Sequence, residues 1–255
     1  MTTYLITGST GRLGSAALGA LVQRVGRDAV TALVRGAGHP AADVRRVTGD
    51  YDDPRSLRQA LDGIDRVLFV SSPQLDPAIR SRQHLAVVGA ARDAGVEHLV
   101  YTSARGAQHD PAHRATESAL DGMSATVLRN TLYTEPWIEA ALDAGVVRSA
   151  AAGALISTAS IADLGEAAAR ALVAPPQARV LELRGPAWGF AQLAAVLGSP
   201  LEEVSDEQTG PFAVLFPLVR AEVLAESGAD LAALLDRQPE DIAAVAARLT
   251  DARSR

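Results

Sequence analysis

The amino-acid sequence predicts an α/β fold in which a doubly wound parallel sheet carries helices on both faces. Two observations lead to this prediction. Short runs rich in β-branched residues alternate with amphipathic stretches through the first half of the 255-residue chain, a pattern typical of βαβ units. A glycine-rich loop at residues 8–14 joins the first of these runs to the first amphipathic stretch.

Hydrophobic periodicity predicts the elements of the first half in order. The expected strands are 3–7, 29–34, 44–48, 66–70, 97–102 and 126–129, and the expected helices are 13–25, 54–61, 78–94 and 111–121. Because a helix joins one strand to the next, the crossovers are expected to be right-handed and the strands parallel.

The pattern loosens after Asn130. Helices are expected at 135–144 and 161–173, one further strand at 179–183, and a largely helical tail from Pro211 that Pro239 interrupts before a last helix. No obvious linker separates the two halves. We therefore predict an α/β core over residues 1–130 and a mostly helical lobe over residues 131–255, packed on the core rather than forming an independent domain.

Two residue types are missing from the sequence, and their absence limits the chemistry. All 24 residues counted as lysine or arginine are arginine, and there is no cysteine. This excludes a lysine Schiff base, a thiol nucleophile, a thiolate zinc site, an iron–sulfur cluster and a disulfide framework. Any activity must use arginine, histidine, hydroxyls, carboxylates, backbone amides or a bound cofactor.

The charge pattern argues against nucleic acid as a partner, since the net charge is −6 and the longest basic run is Arg45-Arg46. The first residues show neither the charged nor the apolar region of a signal peptide, and the apolar stretch 211–219 is too short to span a membrane. We expect a cytoplasmic protein whose partner is a small molecule. The sequence is compatible with a monomer or with a homodimer.

The strongest motif is the loop Gly8-Ser9-Thr10-Gly11-Arg12-Leu13-Gly14, which follows the first strand and opens the first helix. Glycines allow a tight turn and a close approach of the backbone to a pyrophosphate, whose charge the free N–H groups of the helix N-terminus attract. The GxxGxxG spacing differs from the plain GxGxxG fingerprint, and glycines also mark ordinary turns. In its strand–loop–helix context the loop predicts a dinucleotide site of the Rossmann type.

The end of the second strand indicates which dinucleotide binds. An acidic residue there usually holds the ribose 2′-hydroxyl of NAD, but this strand ends in Leu33-Val34-Arg35-Gly36. The planar fork of Arg35, with Arg12 as a second donor, can hold a 2′-phosphate instead. The alternative is a solvated arginine beside a turn. We predict NADPH as the cofactor, with NADP preferred over NAD.

Two further strand ends supply candidate cofactor contacts. Asp50 and Tyr51 follow the third strand, where Asp50 can meet the adenine edge. Ser71 and Ser72 follow the fourth strand, on the ribose side. Each pair can equally form a local turn, because Gly, Asp, Ser and Pro are frequent in turns.

Several motifs occur in an order that resembles a known family. They are Gly8–Gly14, Val34-Arg35, Gly49-Asp50, Tyr101-Thr102-Ser103, His113-Arg114-Ala115-Thr116-Glu117 and Leu128-Arg129-Asn130-Thr131-Leu132-Tyr133. Together they resemble the NmrA-like atypical short-chain dehydrogenases/reductases, in the branch of triphenylmethane reductase and the type 2 NADPH:quinone oxidoreductase. The likeness continues through residues 160–164, 187–197 and 230–247, and so covers nearly the whole chain.

This resemblance implies an NADPH-binding Rossmann domain with a small substrate lobe, and hydride transfer to a quinone, a dye or a related conjugated acceptor. Ordinary short-chain reductases use a tyrosine as proton donor and a lysine four residues later. If Glu117 matches the family glutamate, His113 takes the lysine position and His109 the tyrosine position. The segments 103–113 and 207–228 look shorter than in those relatives, so the lid and the pocket are expected to differ.

His109, His113 and Glu117 are spaced four residues apart. Histidines at this spacing on one helix face can bind zinc, but Asp110-Pro111 predicts a helix N-terminus that leaves His109 outside the helix. We therefore predict no metal site. The other histidines, His39, His84 and His98, are expected in surface or helix contexts, and no role is assigned to them. His113 is expected to contact the cofactor ribose or the substrate, and the alternative is a helix residue satisfied by its own cap.

The segment around the sixth strand provides the remaining candidates. Asn130 can hydrogen-bond the nicotinamide carboxamide, Tyr133 can orient or protonate a substrate, and Trp137 can stack on a flat ring, with core packing as the alternative for both aromatics. We predict Tyr133, His113 and Ser103 as catalytic residues and Tyr133, Trp137 and His109 as substrate contacts. The expected cofactor contacts are Gly8, Thr10, Gly11, Arg12, Leu13, Gly14, Arg35, Asp50, Tyr51, Ser71, Ser72, Thr102, His113 and Asn130.

The sequence thus predicts an NADPH-dependent reductase that transfers hydride directly to a quinone, a dye or a related conjugated or carbonyl small molecule. Two alternatives stay open. One is a non-catalytic NADP(H)-binding redox sensor or regulator of the NmrA type, and the other is a biosynthetic ketoreductase or enoyl reductase.

Overall fold

The computed structural model describes residues 1–36, 40 and 42–254. The strands, in chain order, are β1 Tyr4–Ile6, β2 Val30–Val34, β3 Arg45–Thr48, β4 Arg66–Val70, β5 His98–Ala104, β6 Ala125–Asn130, β7 Leu132–Tyr133, β8 Val147–Ser149, β9 Ile156–Ala159, β10 Arg179–Leu183, β11 Ala187–Trp188 and β12 Leu201–Glu203. The α-helices are α1 Arg12–Val25, α2 Pro54–Leu61, α3 Pro77–Asp93, α4 Pro111–Ala119, α5 Glu135–Ala144, α6 Ile161–Val173, α7 Phe190–Leu197, α8 Phe216–Arg220, α9 Asp230–Leu235 and α10 Ile242–Arg253.

The chain forms two compact units. The first comprises Met1–Asn130 and Leu164–Glu182, and the second comprises Thr131–Asp163 and Leu183–Arg255. The predicted single boundary at residue 130 differs from this division, because residues 164–182 come after it in the chain but belong to the first unit. In this segment α6 packs on α1. Arg24 of α1 pairs with Glu166 of α6 at 2.7 Å, and Gly165 lies so close to α1 that an added Cβ would meet the Cβ of Ala16 at 2.7 Å.

The first unit is built on a seven-stranded sheet in the order β10-β6-β5-β4-β1-β2-β3. The pairings from β3 through β2, β1, β4 and β5 to β6 are all parallel. The strand order reverses between β1 and β4, and in such sheets ligands bind in the crevice at the carboxyl ends of the strands on either side of that point. The prediction of a doubly wound Rossmann-type sheet is confirmed, as are the six strands predicted for it. The seventh strand, β10, was predicted as a strand but was assigned to the helical lobe.

Alternating side chains of the central strands cover the two faces of this sheet. On one face, Leu5, Phe69 and Tyr101 belong to a core cluster with buried residues of α2 and α3, including Leu57 and Val87. Their neighbours Ile6, Leu68 and Val100 in the same strands are also fully buried and by alternation point to the opposite face. Because both faces are apolar, these strands read as continuous hydrophobic runs.

Three helices of the first unit begin in the same way. Asp53, Asp76 and Asp110 are the N-cap residues of α2, α3 and α4, and each carboxylate accepts hydrogen bonds from two backbone N–H groups of the following turn. A proline occupies the first helical position in each case. Helix α1 differs, since its N-cap Gly11 has no side chain that could satisfy the first N–H groups.

The second unit contains two small sheets, in the orders β11-β9-β7 and β12-β8. Its core is aromatic, with Trp137, Trp188, Phe190 and Phe216 buried together. The predicted largely helical tail is confirmed, and α10 begins shortly after Pro239. Helix α7 and the short strands of this unit were not predicted. Among the described residues, the structure holds no helix that is both long and apolar enough to cross a membrane.

Candidate cofactor and active site

The glycine loop is a tight turn that only glycine can form at two of its positions. Gly8 has a φ of 58°, and the N–H of Gly11 closes the turn by donating to the Gly8 carbonyl at 2.9 Å. An added Cβ at Gly14 would lie 2.1 Å from the same carbonyl oxygen. The buried hydroxyl of Ser9 donates to the carbonyl of Leu33 at 2.8 Å, which ties the loop to the end of β2. The uncapped N-terminus of α1 is therefore held open for an anionic group.

Arg35 lies directly after β2 and is exposed. Among the described residues it forms neither an ion pair nor a hydrogen bond, so its five donors are available to a ligand. Gly49 lies after the neighbouring strand β3, where an added Cβ would meet Leu33 Cδ1 at 2.8 Å. Arg12 is also exposed, at the first position of α1. His39, to which the sequence assigned no role, lies outside the described residues.

Asp50 and Tyr51 follow β3, and both serve the local structure. Oδ1 of Asp50 accepts the N–H of Asp52 at 3.0 Å. The Tyr51 hydroxyl lies 2.5 Å from Thr7 Oγ1 and 2.7 Å from the Val70 carbonyl, so it bridges the ends of β1 and β4. Burial raises the pKa of Tyr51 well above its usual range, despite the opposing effect of the Thr7 hydrogen bond. What remains for a ligand is Oδ2 of Asp50 and the ring of Tyr51.

Ser71 and Ser72 follow β4, and both form hydrogen bonds with neighbouring elements. The N–H of Ser71 donates to Thr102 Oγ1 at 3.0 Å, and the N–H of Ser72 donates to His84 Nε2 at 2.9 Å. The Ser72 hydroxyl donates to Gln83 Oε1 at 2.5 Å. Thr102 therefore joins the carboxyl ends of β4 and β5, where the sequence predicts that the cofactor lies.

The imidazole of His113 is buried against the end of β5. Its Nδ1 lies 2.6 Å from the Tyr101 hydroxyl and 3.4 Å from Ser103 Oγ. Burial lowers the pKa of His113, an effect that nearby Arg80 reinforces and that the carboxylates of Asp110 and Glu117 oppose. No hydrogen-bond partner of His113 Nε2 occurs in the described part of the chain. The imidazole is neutral near pH 7 and has one nitrogen left for a ligand.

The carboxylate of Glu117 is held in place by hydrogen bonds from Ser103 and Arg129. The Ser103 hydroxyl donates to Glu117 Oε1 at 2.7 Å, and Arg129 donates to both carboxylate oxygens, at 3.1 and 2.6 Å. Burial acts to raise the pKa of Glu117, but the hydrogen bonds from Arg129 and Ser103 outweigh it and the pKa is lowered. Because its single proton is donated to Glu117, the Ser103 hydroxyl can only accept a hydrogen bond from a ligand.

His109 and His113 do not share a helix face. His109 ends a short 3₁₀ turn, Ala107–His109, and is exposed, while Asp110 caps α4 and Pro111 is its first residue. The predicted helix start is confirmed. The backbone N–H of His113 is satisfied by that cap, at 3.1 Å from Asp110 Oδ1, yet its side chain is directed to the sheet.

Asn130 carries the observation that bears most directly on a bound cofactor. Its side chain is buried at the carboxyl end of β6, and its Oδ1 has no hydrogen-bond partner among the described residues. Leaving a buried acceptor unpaired costs about 1–3 kcal/mol. The amide N–H₂ of a nicotinamide would satisfy it. Together with the glycine cradle and the available Arg35, this donor set fits a phosphorylated nicotinamide dinucleotide.

Tyr133 and Trp137 belong to the second unit. Tyr133 is half-buried in β7, where it is paired with Ala159 of β9. Trp137 is 5% exposed, and Phe212 stacks on one face of its indole with ring centroids 4.0 Å apart. The other aromatic contacts of Trp137 are with Trp188, Phe190 and Phe216. This environment is that of a core residue.

Two residues of the site carried no role in the sequence-based prediction. His84, assigned only to a surface or helix context, is on α3 but fully buried, and Tyr101 on β5 joins it to His113. Their separation along the chain gives no local signal for this contact. His98 was likewise expected in a surface or helix context, and this is wrong, because it is fully buried in β5 and its ring bonds Ser124.

Comparisons with known proteins agree with this geometry. The sequence matches the NAD(P)H-binding family over residues 8–150. It is 37% identical over 208 residues to quinone oxidoreductase 2 of Escherichia coli, which covers 75% of this chain and 72% of that protein. Among solved structures, the Citrobacter sp. triphenylmethane reductase complexed with NADP(H) has a TM-score of 0.87 and 27% identity, over 95% of this chain and 98% of that chain.

A second solved structure supports the same assignment. The Escherichia coli NADPH-dependent quinone oxidoreductase complexed with NADPH has a TM-score of 0.82 and 30% identity, over 97% of this chain and 100% of that chain. These matches confirm the resemblance that the motifs indicate. The chain therefore belongs to the NAD(P)H-binding family and is an NAD(P)H-dependent oxidoreductase.

Proposed function

We propose that this chain transfers hydride from NADPH to a quinone, a cationic dye or a related conjugated small molecule. The relatives named above, a quinone oxidoreductase and a triphenylmethane reductase, support this acceptor class. Both kinds of acceptor are flat and conjugated, and they spread the charge change of reduction over their own rings.

The observation that carries the proposal is the state of His113. The chain has no lysine, and the position that the resemblance gives to lysine holds a buried imidazole whose pKa is lowered. A neutral imidazole donates a hydrogen bond but supplies no fixed positive charge to stabilise a developing alkoxide. The acceptor must then stabilise its own charge, which a simple ketone does poorly and a quinone or a cationic dye does well.

The reaction balances without a strong protein acid. When bound, the nicotinamide supplies two electrons and one hydrogen nucleus as hydride. A quinone that receives the hydride takes up one proton from water and becomes a hydroquinone. A triarylmethane cation that receives it on its central carbon is neutralised directly and needs no proton. The protein contributes orientation and exclusion of water.

The choice of NADPH over NADH depends on Arg35 in this proposal. An exposed arginine with available donors lies where an NAD site usually has a carboxylate, and its planar fork matches a phosphate. Arg12 is the second proposed donor. The uncapped N-terminus of α1 would hold the pyrophosphate and Asn130 Oδ1 the carboxamide. The other predicted contacts, Tyr133, Trp137 and His109 included, stay predictions from the sequence.

NADPH oxidation with a panel of acceptors tests the proposal. We expect turnover with a benzoquinone and with a cationic triarylmethane dye, and none with a simple ketone. Tight NADPH binding without oxidation by any acceptor would favour a redox sensor or regulator. Turnover confined to a ketone or an enone would favour a ketoreductase or an enoyl reductase.

We also propose that the enzyme acts in the cytoplasm and needs no macromolecular partner. The net charge of −6 and the small-molecule chemistry of the site support this. A homodimer is compatible with the proposal and is tested by light scattering of the purified protein, with and without NADPH.

A further inference from the structure

A buried row of polar side chains connects the end of β4 to His113 inside the first unit. It runs from the backbone of Ser72 through His84 on α3 and Tyr101 on β5 to His113 on α4. Thr116 lies beside it, 2.9 Å from His84 Nδ1. His84 and Tyr101 are fully buried and His113 is 4% exposed. Because an unpaired polar group is costly in such an environment, each hydrogen in this row must lie between a specific donor and a specific acceptor.

The protonation of His84 follows from its first partner. The N–H of Ser72 lies 2.9 Å from His84 Nε2, and a backbone amide can only donate. Nε2 is therefore the unprotonated nitrogen, and Nδ1 carries the hydrogen. Burial, reinforced by the positive charge of Arg80, lowers the pKa of His84 to about 3, so this neutral form persists at physiological pH.

The hydrogen on His84 Nδ1 determines which groups donate and which accept in the hydrogen bonds that follow along the row. Thr116 donates its hydroxyl proton to the Ala112 carbonyl at 2.6 Å, so it accepts from His84. The Tyr101 hydroxyl, 3.2 Å from the same nitrogen, cannot donate to a protonated Nδ1. Its distance to His113 Nδ1 is 2.6 Å, which is short for an N–H donor and ordinary for a hydroxyl donor. Tyr101 therefore donates to His113.

We infer that Ser72, His84 and Tyr101 are positioning residues that hold His113 as the Nε2–H tautomer, so that its outer nitrogen is a permanent hydrogen-bond donor. The group it would serve is a ligand oxygen, such as a ribose hydroxyl of the cofactor or a carbonyl oxygen of the acceptor. In ordinary short-chain reductases the positive charge of lysine guarantees a donor. Here the peptide N–H of Ser72 has the same effect on His113 through two side chains, His84 and Tyr101. The inference rests on the proposed function only in naming that ligand.

The charged groups around His113 leave this arrangement undisturbed. Arg80 faces it from α3, Glu117 faces it from α4, and Asp110 faces it from the N-cap position before α4. Arg80 is paired with Asp110, and Glu117 is paired with Arg129. Ser103 on β5 lies 3.4 Å from Nδ1, but its proton is donated to Glu117. Asp110 and Glu117 favour the protonated imidazole, but each is paired with an arginine, and burial outweighs them, so the pKa of His113 is lowered.

Nitrogen-15 NMR of the labelled full-length protein tests the tautomer directly, since long-range proton–nitrogen spectra distinguish the two neutral forms and the imidazolium. The His113 signals are identified by their loss in His113→Gln. We expect Nε2–H with an unprotonated Nδ1 from about pH 6 to about pH 8, the range in which an ordinary histidine titrates. A hydrogen on Nδ1, or an imidazolium near pH 7, would overturn the inference.

Tyr101→Phe tests the positioning role, because it removes one hydroxyl and keeps the ring. In the wild type, the Tyr101 hydroxyl donates to His113 Nδ1 and so favours the neutral imidazole with its hydrogen on Nε2. Without this hydrogen bond, the pKa of His113 should rise and the second neutral tautomer should appear. The matched control is Tyr4→Phe, a buried tyrosine of β1 with no part in the row. It should leave the His113 signals unchanged. Identical His113 spectra in Tyr101→Phe and the wild type would contradict the role.

Kinetics separate this inference from the proposed function. In Tyr101→Phe we expect kcat to fall about fivefold, the effect of one hydrogen bond, with a new loss of rate as the pH falls toward 6. A wild type with the Nε2–H tautomer but no turnover would disprove the proposed function alone. An active wild type with a hydrogen on Nδ1 would disprove the positioning inference alone.

Discussion

Gly14 lies directly against the carbonyl of Gly8, so closely that a Cβ added at Gly14 would be 2.1 Å from the Gly8 oxygen. The same oxygen accepts the N–H of Gly11. The first turn of α1 and the loop before it are therefore fitted to each other by backbone atoms alone.

Gly14→Ala should raise the dissociation constant of NADPH at least tenfold, because the loop must move to admit the methyl group. Fluorescence titration with NADPH measures this. The control is Gly19→Ala in the same helix, where an added Cβ meets no atom within 4 Å. It should leave binding unchanged and stabilise the protein by about 0.4–1 kcal/mol. Equal binding by the two variants would show that the cradle is not the pyrophosphate site.

The motifs of the first unit could be interpreted from sequence because each lies within one strand–loop–helix segment. The glycine loop, Arg35 and the Asp-Pro start of α4 belong to this group. The row through His84, Tyr101 and His113 could not, since its members come from three elements and meet only in the folded sheet. In the second unit, β7 and β11 have two residues each, too few to show a hydrophobic period.

Arg35→Ala should weaken NADPH binding by about tenfold to a hundredfold and NADH binding much less, because only NADPH carries the 2′-phosphate that a charge-assisted hydrogen bond would hold. Dissociation constants of both nucleotides, measured at one salt concentration, give the comparison. Arg58→Ala removes another exposed arginine, on α2, and should change neither. A wild-type preference for NADH, or an equal loss for both nucleotides, would refute the role of Arg35.

The buried histidines make stability depend on pH. The pKa of His84 is about 3 in the folded protein and near 6.5 when unfolded, so the unfolded state binds the extra proton first as the pH falls. The stabilisation is complete above about pH 6.5 and should decline by roughly 2 kcal/mol by about pH 5. Urea unfolding at about pH 7.5 and about pH 5 measures it. His84→Gln should reduce this pH dependence, and an unchanged slope would contradict the assignment.

Trp137 should contribute mainly to the stability of the second unit. Trp137→Ala removes the ring that Phe212 stacks on and should lower the free energy of unfolding by about 3–5 kcal/mol, whereas Trp137→Phe should cost less. Thermal unfolding of both variants, with their KM values for the quinone, decides between packing and substrate contact. A raised KM in Trp137→Phe with unchanged stability would support the substrate contact.

Direct hydride transfer is the central claim, and isotope transfer to a cationic triarylmethane dye tests it most directly. NADPH is labelled with deuterium at the transferable position of the nicotinamide, and the reduced dye is analysed by mass spectrometry. Deuterium bonded to a dye carbon does not exchange with water. We predict one deuterium in each molecule of reduced dye. Reduced dye without deuterium, or labelled NADPH that is bound and never oxidised, would contradict the account.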